Sequence, residues 1–222
     1  MGRIYPAENR IDDEKPVVRS DRVSSWTVWK KSSMAFQGTD GFSVYDSNGT
    51  LAFRVDNYSR RHKRLAGELV LMNGAGAVLF ALRPQIFSMH DQWNGFKEEK
   101  EGLRAGSKRH VFSMRKRSVL QSSDETEVFM VSSGGQLSPK PDYRIEGCFW
   151  RRNCKIRGNS GEVVAKISRK KANSSTILSD DVFSLTVEPG VDCELIMAFM
   201  VVLDRICQKP FSPIMCSSNA VL

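Results

Sequence analysis

The densest group of side chains able to hold a ligand is Arg60-Arg-His-Lys-Arg64. Arg60, Arg61, Lys63 and Arg64 set four cations around one imidazole, a multivalent point-charge patch suited to the phosphates of an anionic phospholipid or phosphoinositide headgroup. The same short basic run also reads as a nuclear-import signal, and charge alone does not separate the two uses. Further cations stand at Lys108-Arg109, Arg115-Lys-Arg117, Arg151-Arg152 and Arg169-Lys-Lys171. Solvated loops and outward strand faces are their plainer reading, unless several converge on one end of the fold. The net charge of +8 and sequence pI near 9.4 favour weak attraction to phosphates without naming what carries them.

Catalytic groupings are sparse. His62, His90 and His110 are too scattered for a metal motif, and Asp180-Asp181 lacks the series of oxygen ligands a calcium loop supplies. Gly74-Ala-Gly76 lacks the third glycine and following helix of a dinucleotide fingerprint, and Gly158-Asn-Ser-Gly161 reads as a hairpin turn rather than a nucleophile elbow. Cys148, Cys154, Cys193, Cys207 and Cys216 are odd in number with no close C-x-x-C spacing, so reduced thiols are expected. The expectation is a non-enzymatic protein with no cofactor and no metal. Neither an RNA-recognition aromatic signature nor a helix-turn-helix is present, which argues against direct readout of nucleic acid. Trp26, Trp29, Trp93 and Trp150 could stack on bases or sit at a membrane interface, but packing within strands is the expected use.

The elements that must position these groups are mainly hairpins. Residues 42–55, 69–82 and 154–167 share a fourteen-residue frame of strand, short turn and strand. Each turn draws on Asp, Asn, Gly and Ser and ends in glycine (Gly49, Gly76, Gly161), which can take the positive φ that closes a hairpin. The first and third alternate in polarity, whereas the second is apolar on both faces and should be more deeply covered. Trp26-Thr-Val-Trp29 and residues 110–120, 127–131, 143–151 and 182–187 are further strands, about ten to twelve in all. Residues 94–108 and 132–142 read as exposed loops.

One long helix is expected near 192–208, with Asp192 as N-cap, Glu194 in the first turn, Arg205 and Lys209 at the end and Pro210 beyond. Leu195-Ile-Met-Ala-Phe-Met-Val-Val-Leu203 is apolar on every side, yet these residues rise only about 14 Å, short of a hydrocarbon layer of roughly 30 Å. Such a helix needs apolar partners all round, and hairpins supply them by curling into a barrel around it. The fold class expected is mainly β: one closed antiparallel barrel of about twelve strands around a buried C-terminal helix. Residues 1–22 read as a flexible arm, 23–208 as the barrel and 209–222 as a tail. The first residues lack a secretory h-region, Pro6 spoils a myristoylation pattern, and no prenylation box closes the chain. An intracellular monomer is expected, cytoplasmic or nuclear, or peripheral at the plasma membrane.

Trp26-Thr-Val-Trp29, Gly41-Phe-Ser-Val-Tyr-Asp-Ser-Asn-Gly49, Arg83-Pro-Gln-Ile-Phe87, and Val187-Glu-Pro-Gly-Val-Asp192 leading into the apolar helix and Leu203-Asp204 follow one another in the order seen in a known family. Over residues 23–208 the chain resembles the plant LURP-one-related family. That resemblance implies a tubby-like, scramblase-like fold of twelve strands around a central helix, with no catalytic residues. It also implies a link to plant pathogen response and to membrane-tethered transcription factors. Tubby domains bind phosphoinositides through basic side chains, but no motif of that site matches here residue by residue. Lipid translocation, or a protein-interaction scaffold with a protein partner and no lipid, are the alternatives.

Overall fold

The computed structural model describes residues 22–31, 41–57, 67–85, 91–99, 106–117, 125–173 and 176–207. Twelve strands precede one helix: β1 Ser24–Lys31, β2 Gly41–Tyr45, β3 Leu51–Asn57, β4 Leu69–Asn73, β5 Val78–Pro84 and β6 Trp93–Glu98. The second half continues with β7 Lys108–Lys116, β8 Thr126–Met130, β9 Tyr143–Cys148, β10 Asn153–Gly158, β11 Val163–Arg169, β12 Val182–Val187 and α1 Cys193–Ile206. Each strand pairs antiparallel with its neighbours in sequence, and β1 pairs β12 from Ser24↔Val187 to Trp29↔Val182, closing an up-and-down barrel. An even number of strands lets an antiparallel order close on itself, which removes every sheet edge.

The three expected hairpins are present and share one turn. In each, the residue opening the turn accepts from the glycine N–H three positions on: Asp46 from Gly49, Asn73 from Gly76, Gly158 from Gly161. Those glycines have φ of +79°, +91° and +89°, and the pairing slips by one residue just inside each turn. This is the type I turn with an adjoining bulge, in which the left-handed position excludes most side chains. Asp46 and Asn73 tighten it further by accepting, through Oδ1, from the N–H of Thr50 and Ala77. Ser132–Gln136, in the segment expected as a loop, closes the same way.

Residues 94–108 depart from the expected loop, since β6 runs Trp93–Glu98 and β7 already starts at Lys108. The inward positions of β6 are Trp93, Gly95 and Lys97, so the usual alternation of apolar side chains is missing. Gly95 is where the Phe112 ring lies: a Cβ there would stand 2.1 Å from Phe112 Cε1. Lys97 sets its ammonium over Phe80, Nζ 4.6 Å from the ring centroid, and ion-pairs with Glu194 at 3.1 Å. The sheet therefore uses a glycine that admits a neighbouring ring and a charged cap where a sequence pattern expects hydrophobes.

The helix lies inside the barrel, with every residue from Leu195 to Asp204 buried. Its N-cap is Asp192, whose Oδ1 accepts from Leu195 N–H at 3.1 Å. Phe199 meets the Phe112 ring edge-on at 4.9 Å between centroids and Tyr143 at 5.2 Å. The inward faces of the strands, Val28, Leu71, Phe80, Leu82, Met114, Ile145, Ile156 and Leu185 among them, complete one continuous core. On the second hairpin Val70, Met72 and Ala81 are buried although they lie outside that core, in line with its apolar second face. No helix among the described residues is long and apolar enough to cross a membrane.

Candidate functional site

Two ion pairs orient the helix. Lys97–Glu194 marks its N-terminal end, and Lys30 Nζ donates to Asp204 Oδ1 at 2.8 Å in its last turn. Because the strands alternate up and down around the barrel, the last residue of β3, Asn57, and the first of β4, Leu69, face the same end as the β9–β10 turn and the β11–β12 loop. The barrel end at the helix C-terminus thus gathers the end of β1, the β9–β10 turn, the β11–β12 loop, and the strand ends Asn57 and Leu69.

The inside of this end is a sealed charge cluster. Asp204 follows an apolar run, is 1% exposed, and sits where the negative end of the helix dipole makes a second negative charge costly. Lys30 answers it directly, and the Arg152 guanidinium adds a second favourable charge nearby. Arg152 is 3% exposed and held at φ +50°, an unusual conformation for a side-chain-bearing residue. Its guanidinium faces the rings of Phe149 and Phe183, 4.4 and 4.2 Å from their centroids, and its Nε donates to the Asp180 carbonyl at 2.8 Å. Burial pulls the Arg152 guanidinium below its ordinary range, while Asp204, Asp180 and Asp181 pull it back up. Trp150 lies over the exit of the helix and donates its indole N–H to the Cys207 carbonyl, with Lys30 Nζ 5.8 Å above its ring.

The outside of the same end is exposed and basic. Arg151, Lys170 and Lys171 make no ion pair with any described residue, whereas Arg169 Nη2 is spent on Asp180 at 3.4 Å. Asp180, considered above as a calcium ligand, meets Arg169 with its carboxylate and Arg152 with its backbone carbonyl, and among the described residues no three His, Cys, Asp or Glu are placed to hold a metal. Arg60, Arg61, Lys63 and Arg64 lie outside the described residues, as do His62, His90 and Cys216.

Elsewhere some basic groups are paired within the fold, while Arg109, Lys116, Lys140, Lys155 and Lys166 make no ion pair with any described residue. Glu68 is buried between Lys108 at 2.8 Å and Arg83 at 2.6 Å. Burial alone would raise its carboxyl, but hydrogen bonds from Lys108 and Arg83, with their charges, bring it below the ordinary value. Arg117 pairs with Glu125 at 2.6 Å, and Arg115 lies 4.7 Å over the Phe129 ring.

Two features depart from the expected packing roles. Trp26 packs edge-on against Phe53 and Trp93 joins the core margin, but Trp29 is 51% and Trp150 39% exposed. His110 and Ser113 approach within 3.2 Å, yet His110 Nε2 also stands 2.9 Å from the Phe112 carbonyl and Ser113 Oγ donates to Asn94 Oδ1 at 2.7 Å. A carbonyl can only accept, so Nε2 carries the proton and is not a base toward that hydroxyl. Cys193 is buried, and desolvation pushes its thiol up, away from the reactive thiolate.

Sequence reasoning missed Lys30 and Arg152 as partners of the helix end. A carboxylate closing an otherwise apolar helix was a readable signal that a cation must be buried beside it. Nothing in Arg151-Arg152 shows that one of the two turns inward.

Comparison with known proteins covers the barrel and its sealed end. A family model described as LURP-one-related matches residues 24–204. Protein LURP-one-related 5 of Arabidopsis thaliana is 38% identical over 180 residues, 80% of each chain. Protein LURP-one-related 12 of the same plant is 35% identical over 178 residues, 79% of this chain and 75% of its own. An X-ray structure of an Arabidopsis thaliana protein superposes with a TM-score of 0.57 over 85% of this chain and 94% of that one, a likeness of fold at 22% identity. Matched from its first strand to the carboxylate that Lys30 holds in the last helical turn, the chain belongs to the LURP-one-related family.

Proposed function

We propose that the protein is a non-enzymatic regulatory module that contacts an acidic phospholipid surface, at the inner face of a cell membrane, with the barrel end at the helix C-terminus. The observation that carries this reading is a set of cations that make no ion pair with any described residue, exposed Arg151 and Lys171 and half-buried Lys170, on two adjoining loops of that end. Anionic headgroups attract each such cation, and the attraction adds across a patch. The strand ends Asn57 and Leu69, between which the Arg60–Arg64 cluster falls in sequence, belong to the same end. Peripheral docking of this kind suits a tubby-like regulator in plant pathogen response, released from or held at the membrane by a change in lipid charge.

Flotation of the purified protein with vesicles tests it. Binding should appear with phosphatidylserine or phosphoinositide, fall with salt, and be absent on neutral phosphatidylcholine. No binding to any vesicle defeats this reading and leaves a protein-interaction scaffold as the better account. Movement of labelled lipid between leaflets would instead support a translocating, scramblase-like activity.

A further inference from the structure

Seven large apolar side chains are exposed among the described residues, and four of them, Trp29, Trp150, Ile177 and Leu178, belong to the helix C-terminal end. The other three, Val23, Val78 and Leu137, are aliphatic and scattered at the opposite end. Trp29 and Lys30 are consecutive on β1 and point to opposite faces, so Lys30 turns in to Asp204 while Trp29 turns out. Ile177 and Leu178 stand 48% and 36% exposed on the β11–β12 loop, where Leu178 N–H donates to the Lys170 carbonyl and Ile177 bridges Lys171. Three of the four apolar tips therefore neighbour a cation: Ile177 and Leu178 beside Lys171 and Lys170, Trp150 beside Arg151.

We infer that this rim inserts into the boundary between headgroups and acyl chains of an anionic bilayer, rather than resting on its charge alone. The inference rests on the reading above and adds a second, apolar component to the same contact. Indole rings favour that boundary because they are apolar in body and polar at one edge, and neighbouring lysines and arginines can reach the phosphates while their stems lie along the apolar layer. The occupant is an anionic lipid surface because cations adjoin three of the apolar tips. The opposite end mixes its cations with Asp46, Glu98, Glu162 and Glu188, whereas Asp180, the exposed carboxylate of the rim loop, is held by Arg169 at 3.4 Å. Charge-only binding is screened beyond a Debye length of about 8 Å at physiological salt, whereas insertion of apolar side chains is not.

The test uses the full chain and vesicles of phosphatidylcholine and phosphatidylserine, with part of the phosphatidylcholine brominated on its acyl chains. Tryptophan fluorescence should be quenched on binding, and a fraction of the protein should stay vesicle-bound in high salt. Trp29→Ser combined with Ile177→Ser should lose that salt-resistant fraction several-fold and most of the quenching, with an unchanged unfolding midpoint. Trp150→Phe, which keeps the ring over the helix exit but not the N–H, should retain the salt-resistant binding. Binding that salt abolishes completely, without quenching and equally in the double variant, overturns insertion while leaving the charged contact intact. Failure to bind any vesicle overturns both.

Discussion

Lys30 Nζ lies 2.8 Å from Asp204 Oδ1, tying the first strand of the barrel to the last turn of the helix it encloses. The pair closes the fold because its two members come from opposite ends of the described chain. Lys30→Met leaves a buried carboxylate without its ammonium, and the loss should be about 3 kcal/mol, the low end for a broken buried pair, since the Arg152 charge remains nearby. Urea unfolding should show a lowered midpoint with an unchanged slope. A midpoint equal to that of the parent protein would mean that the pair contributes nothing.

Gly95 and Gly161 separate two reasons for a glycine. Gly95→Ala drives a methyl into the Phe112 ring, itself wedged against Phe199, and should cost about 3 kcal/mol from overpacking. Gly161→Ala has open space around it but a φ of +89°, so only the backbone penalty of about 1 kcal/mol applies. Thermal unfolding should rank the two in that order, and the reverse ranking would contradict the account of β6.

Glu68 ties stability to acid pH. Its folded carboxyl lies below the ordinary value, so its contribution is fully present above the unfolded pKa of about 4.3 and is lost as pH falls through the folded one. Glu68→Gln should be less stable than the parent at pH 7, and the difference should shrink below pH 4. A difference that stays constant across that window would show that Glu68 is not held ionised by Lys108 and Arg83.

Phe199→Asp places a carboxylate at the centre of the core, facing the rings of Phe112 and Tyr143. A loss of about 5 kcal/mol or more, seen as failure to accumulate in soluble form, is expected. A soluble variant with the parent's unfolding midpoint would contradict the enclosed helix.

The barrel was legible wherever local chemistry and fold agreed. Turn glycines at 49, 76 and 161 marked three hairpins, the Asp192 cap and Glu194 marked the helix start, and the apolar run implied its enclosure. β6 was hidden because two of its three inward positions are a glycine that admits Phe112 and a lysine that caps Phe80, so the period of two disappears. The candidate site was only half visible. Basic residues can be counted in a sequence, but which of them are neutralised is a matter of tertiary neighbours. Arg152 is buried beside Arg151, and Lys108 and Arg117 are consumed by Glu68 and Glu125. The exposure of Trp29 was invisible because a tryptophan in a strand looks the same facing in or out.

The most direct test of the central claim compares the barrel end with the barrel wall. Arg151→Glu, Lys170→Glu and Lys171→Glu together reverse the end. Lys155→Glu with Lys166→Glu reverses two exposed lysines that face each other across β10 and β11. In co-sedimentation with phosphatidylserine-containing vesicles at low salt, the first variant should lose binding and the second should keep most of it. Equal loss in both would show that only net charge matters, and would contradict a membrane contact built at the helix C-terminal end.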